Sequence, residues 1–162
     1  EIGYDKGVPM GGDLPTANGK KAPVFMVGAM KDPWSGNLDR IQIVKGWVDE
    51  KGERQERIYD VACADRGINA EGRCEKPIGN TVDEANATYL NNIGDAELRA
   101  VWTDPEFNPQ HRAVYYARVL EIPTPTWQAY DAKFYGTKMP EQVPLSHQER
   151  AYTSPIWYTP KG

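Results

Sequence analysis

The residues of this chain that could do chemistry fall into a few short stretches. Asp104, Glu106 and His111 span one turn, Asp104-Pro105-Glu106-Phe107-Asn108-Pro109 and the residues after it. Two carboxylates and an imidazole at this spacing are a reasonable ligand set for a divalent metal. Asp104-Pro105 is equally a common turn opening, in which the carboxylate accepts backbone N–H groups, and turn chemistry is the expected role. Asp32, Ser35, Asn37 and Asp39 give a second oxygen-rich loop of the kind calcium uses. Their spacing is not that of an EF-hand, and local turns account for Asp32-Pro33 and Asn37. Nucleophilic catalysis needs a base beside Ser or Cys. Of the two histidines, His111 opens a predicted strand next to a turn and His147 lies in a polar stretch, with no Gly-x-Ser-x-Gly motif. Gly11-Gly12-Asp13 has no Gly-Lys-Ser/Thr after it and is not a phosphate loop. No catalytic residue is therefore assigned to this chain.

Cys63 and Cys74 flank a polar loop containing Gly67 and Gly72. A disulfide between them would close a short loop, stabilise the fold by about 3 kcal/mol on the chain-entropy model, and imply an oxidising compartment. The other reading is two free thiols. Zinc would need four ligands, and neither histidine is near either cysteine in sequence. Aromatic residues make up 10% of the chain. Most should fill the core or an interdomain contact. Trp34, in the polar loop Lys31-Asp32-Pro33-Trp34-Ser35-Gly36-Asn37, is the ring expected to face solvent and the candidate ligand-binding residue.

These residues must be positioned by short strands. With 162 residues the chain is one domain in size. Its 15 glycines and 13 prolines favour turns over long helices. The net charge of −4 provides no basic excess for phosphate backbones, which argues against nucleic acid. No apolar run reaches the ~20 residues of a membrane span. The run Pro23–Met30 reads as a strand buried on both faces. Leu38–Val48 and Arg54–Cys63, joined by a charged Gly52-containing loop, read as a β-hairpin. Residues 64–95 are mostly loop, with a short helix or strand near 84–90. In Ala96–Thr103, Leu98, Ala100 and Trp102 alternate inward. His111–Ile122 is apolar on both parities and reads as a central strand ended by Pro123. Thr124-Pro125 is expected to start a short helix stopped by Gly136. Its stripe Trp127, Tyr130 and Phe134 should lie against the sheet. Pro155–Thr159 reads as a last short strand. The expected fold is all-β, an antiparallel β-sandwich with one short helix over residues 23–162, the alternative being a partly open barrel. Residues 1–22 are expected to be a linker or loop entering it.

Several stretches resemble one bacterial family, the domain of unknown function 3604. They are Gly7-Val8-Pro9-Met10-Gly11-Gly12-Asp13-Leu14, Asn37-Leu38-Asp39-Arg40-Ile41-Gln42-Ile43-Val44-Lys45-Gly46-Trp47, Asp104-Pro105-Glu106-Phe107, the run from Tyr115 to Pro125, and Arg150-Ala151-Tyr152-Thr153-Ser154-Pro155-Ile156-Trp157-Tyr158. They span nearly the whole chain in order. The resemblance implies a large, exported parent protein with a periplasmic or extracellular location. Its N-terminal part resembles the metal-dependent hydrolases of the polymerase-and-histidinol-phosphatase superfamily. The resemblance also implies that this chain is the appended C-terminal β-rich module, whose partner is the upstream domain. Any divalent metal belongs to that upstream part, and no cofactor is assigned to the residues here. The expectation is thus a non-catalytic accessory module, the alternative being a β-sandwich that binds carbohydrate or another small ligand.

Overall fold

The computed structural model describes residues 6–15 and 21–160. The hairpin forms as the alternation requires: β3 (Leu38–Val48) pairs antiparallel with β4 (Arg54–Cys63). Its turn is held by Asp49, whose Oδ1 accepts the N–H groups of Lys51 and Glu53. Gly52 takes the left-handed φ of 78° that this turn needs. On its other side β3 pairs with β8 (Ala113–Glu121), the doubly apolar run. β8 in turn carries β11 (Arg150–Tyr152) and β12 (Ile156–Tyr158). This completes a six-stranded sheet with β1 (Asp13–Leu14), parallel to β12. The first 22 residues are thus not all an entering loop, because Asp13 and Leu14 belong to the main sheet.

Across from this sheet lies a two-stranded ribbon of β2 (Val24–Met30) and β7 (Glu97–Thr103). The core between them holds Ile41, Ile43, Leu38 and Tyr115 from the sheet and Leu98 from the ribbon. Aromatic rings fill the gap: Phe25 stands 4.7 Å from Tyr115, and Trp102 4.8 Å from Tyr59, centroid to centroid. The arrangement is an open all-β sandwich, not a closed barrel. As expected, Leu98, Ala100 and Trp102 point inward on β7. The expectation for β2 is corrected: it is not buried on both faces. Phe25, Val27 and Ala29 face the core, while Val24, Met26 and Met30 face solvent. The ribbon has only two strands and nothing among the described residues covers its outer face.

Thr124 and Pro125 do not begin the helix. A residue before proline is pushed away from the α region, and Thr124–Pro125 is strand β9, paired with β10 (Ser146–His147). The helix α1 runs over Trp127–Tyr135, with Thr126 as its extended N-cap. Gly136 ends it in the left-handed conformation, as expected. A small hairpin, β5 (Val82–Asp83) with β6 (Thr88–Tyr89), sits beside the helix and fills part of the region read as loop. Lys133 Nζ donates to the Asn86 carbonyl at 2.7 Å and fastens α1 to that hairpin's turn.

Candidate functional site

The buried ionisable residues Asp39, Lys45, Asp60 and Asp104 are all held in internal pairs. Lys45 shares its β3 parity with Ile41, Ile43 and Trp47, so the strand sends it into the core. There its Nζ lies 2.6 Å from Asp104 Oδ2, with side-chain exposures of 4% and 0%. The Tyr115 hydroxyl donates to the same Oδ2 at 2.7 Å, and Lys45 Nζ also donates to the Glu106 carbonyl at 2.8 Å. Asp104 Oδ1 accepts the Glu106 N–H at 2.9 Å, the turn expected of Asp-Pro. The Glu106 carboxylate points the other way, accepting from Tyr59 Oη at 2.7 Å and pairing with Arg57. His111 Nε2 lies 3.2 Å from Asn108 Nδ2 and 4.0 Å from Glu50. Asp104, Glu106 and His111 therefore stand in three different environments and do not form one ligand set.

These contacts raise the proton affinity of two tyrosines and lower that of Glu106. Burial, followed by the hydrogen bond to Asp104, pushes the Tyr115 hydroxyl well above the ordinary tyrosine range. Burial and then Glu106 do the same to Tyr59. The Tyr59 hydrogen bond, with Arg57 behind it, holds the Glu106 carboxyl below its usual value.

The oxygen-rich loop is also dismantled by its own contacts. Asp32 Oδ1 accepts the Trp34 N–H at 2.8 Å. Ser35 donates to the Glu121 carboxylate. Asn37 donates through Nδ2 to the Ile93 carbonyl at 2.9 Å. Asp39 is fully buried between Arg40 and Arg66 and accepts from Gln148 Nε2 at 2.7 Å. His147 Nε2 lies at the surface, 2.9 Å from the Glu149 carboxylate.

Cys63 and Cys74 are joined as a disulfide, as the loop spacing suggested. Beside it, Asp60 Oδ2 accepts the Cys74 N–H at 2.8 Å and Oδ1 accepts from Gln42 Nε2 at 2.6 Å.

What remains unmatched is aromatic surface. Trp34 is 93% exposed, in agreement with its placement in a polar loop. The helix stripe is a correction. Trp127, Tyr130 and Phe134 do not lie against the sheet, being 68%, 51% and 81% exposed. The opposite side of the helix wheel carries Ala129, the one buried residue of α1, together with Ala132. Ala129 is fully buried, so the body takes the alanine side and the rings turn outward. That signal was present: two alanines three apart mark a contact face as well as a ring stripe does. Tyr135 and Leu90 are exposed in the same region. The Trp34 loop joins it through Asn91 Nδ2, which donates to the Ser35 carbonyl at 3.3 Å. One end of the molecule thus gathers Trp34, Leu90, Trp127, Tyr130 and Phe134 around α1 and the β5–β6 hairpin.

A family model, that of the Protein of unknown function (DUF3604), matches residues 1–160. No curated protein and no solved structure matches the chain.

Proposed function

This chain belongs to the DUF3604 family, and from that premise we propose that it is a non-catalytic accessory module that docks through its aromatic end onto the hydrolase-like upstream part which the family resemblance implies. The observation that carries the reading is the outward stripe Trp127, Tyr130 and Phe134 on a helix whose other side already packs on the body. Trp and Tyr are the residues that dominate interface energies, because each covers a large area at little entropic cost. The buried acids and bases support the same reading. Asp39, Asp60 and Asp104 are each paired with a basic side chain within the sandwich, which fits a structural role for them. The disulfide supports a periplasmic or extracellular setting.

The test is made in a chain that carries both parts. Replacing Trp127 and Phe134 by Ser should split its thermal unfolding into two transitions, one for each part. The melting of the 162-residue chain alone should shift little, because surface substitutions there remain within about 0.5 kcal/mol. An unchanged single transition in the longer chain would defeat the docking reading.

A second reading rests on Trp34, which is nearly fully exposed in a loop tied to Asn91. Exposed Trp and Tyr rings could stack on sugar rings, making the aromatic end a carbohydrate platform. Quenching of tryptophan fluorescence by a glycan, lost in Trp34→Ala, would favour this reading. Flat titrations across a broad glycan panel would count against it.

A further inference from the structure

We propose that reduction of the Cys63–Cys74 disulfide converts its surroundings into a single-ion metal site, with the two thiolates and the Asp60 carboxylate as ligands and a zinc-class divalent cation as the ion. The ligand atoms of these three residues lie within 4.8 Å of one another. Their meeting has a backbone cause. Asp60 and Cys63 are three apart on β4, and regular alternation would send them to opposite faces. The register shifts there: Gln42 pairs with Asp60 and Ile41 with Ala62, leaving Val61 as the extra residue of a bulge. Asp60 and Cys63 consequently share a face with Gln42 and Arg40.

The cysteines are held together by more than their own bond. Their Cα atoms are 5.9 Å apart. The loop between them is closed by Asn69 N–H to the Arg73 carbonyl at 2.8 Å, Asp60 N–H to the Gly72 carbonyl at 2.8 Å, and Glu75 N–H to the Gly67 carbonyl at 3.1 Å. Cys74 is pinned by its own N–H on Asp60 Oδ2. After reduction the sulfurs need separate only to the ~3.8 Å spanned by two ~2.3 Å zinc–sulfur bonds in a tetrahedron. Side-chain rotation supplies that. Gln42 supports the third ligand, since its Nε2 donates to Asp60 Oδ1 while its Oε1 accepts from Arg118 Nε at 2.7 Å.

Charge makes the site conditional on redox state. In the oxidised protein Asp60 is the one anionic ligand, and guanidinium nitrogens of Arg73 and Arg40 stand 3.3 and 3.7 Å from it, which disfavours a cation. Two thiolates reverse that balance. With zinc bound, three anionic ligands and a dication leave one net negative charge for the two arginines. Sulfur ligands select zinc-class ions over calcium or magnesium. A dithiol reductant gives two electrons and two protons to the S–S bond and becomes a disulfide itself. The cation then displaces both thiol protons to solvent as two S–metal bonds and one O–metal bond form. Water takes the fourth position.

The chain is reduced with dithiothreitol, freed of it anaerobically, and titrated with cobalt(II). The expected result is one equivalent bound with sulfur-to-cobalt charge transfer and four-coordinate visible bands, bleached by zinc(II). The oxidised chain should show none of this. Cys63→Ser should abolish the charge-transfer band's two-sulfur intensity, and Asp60→Asn should weaken cobalt binding at least tenfold. Zinc(II) should also slow alkylation of both cysteines in the reduced wild-type chain by at least tenfold. Circular dichroism is recorded on each sample. The proposal would be overturned by a reduced chain that has unfolded, by the absence of cobalt bands, or by cobalt affinity that is unchanged in Asp60→Asn.

Discussion

Removing the charge of Lys45 should be far more damaging than removing a lysine charge from the surface. The pair it forms with Asp104 is buried on both sides, at 2.6 Å. In Lys45→Met, Asp104 keeps only the Tyr115 hydroxyl and the Glu106 N–H as partners. Breaking one side of a buried pair costs about 3–5 kcal/mol, because the remaining charge stays dehydrated and unneutralised. Asp104→Leu should cost a similar amount by stranding the ammonium group. Removing both together should be milder: a buried pair replaced by apolar groups is often neutral or better. The unpaired Tyr115 hydroxyl adds back about 1–3 kcal/mol. The double variant should therefore lie within about 3 kcal/mol of wild type, and the two single losses should be non-additive by at least about 3 kcal/mol. Urea unfolding followed by tryptophan fluorescence measures all four corners of the cycle, provided the m-value stays constant. Additive losses, or a Lys45→Met cost below about 1 kcal/mol, would refute the claim that these charges are a structural pair.

Other outcomes follow from the same structure. Cys63→Ala with Cys74→Ala should lower unfolding free energy by about 3 kcal/mol, read as a fall in urea midpoint. Tyr59 and Tyr115 have raised folded-state proton affinities, so their stabilisation is complete below the ordinary tyrosine pKa of about 10 and is lost as pH rises from there towards their folded-state values. An ultraviolet titration should show both ionising only together with unfolding; early ionisation in the folded protein would contradict their burial. Trp34→Ala should leave the melting temperature nearly unchanged while removing a red-shifted part of the tryptophan emission, as expected for a solvated indole.

Much of the sheet was legible because its signals are local. The hairpin at Gly52, the alternation of Leu98, Ala100 and Trp102, and the apolar run ended by Pro123 each carry their own period or stop. The disulfide was legible from a short polar loop between two cysteines. Where the reading failed, the deciding contact came from a distant part of the chain. β2 looked doubly buried because its composition is apolar, yet a two-stranded ribbon offers it one covered face. The ring stripe of α1 looked like a core face, yet Ala129 on the other side is the residue that is buried. Lys45 carried a readable sign, a charge on the inward parity of a strand, but its partner lies far along the chain in a turn that looked self-contained. The separation of Asp104 from His111 likewise depends on which neighbour each meets: Lys45 and Tyr115 for one, Asn108 and Glu50 for the other.

Hydroxyl-radical footprinting of the helix compares the 162-residue chain with a longer family chain that includes the upstream part. Docking through the aromatic end predicts strong labelling of Trp127, Tyr130 and Phe134 in the former and protection of all three in the latter, with Met26 and Val101 on the ribbon serving as internal references. Equal labelling of the three rings in both chains would contradict the account.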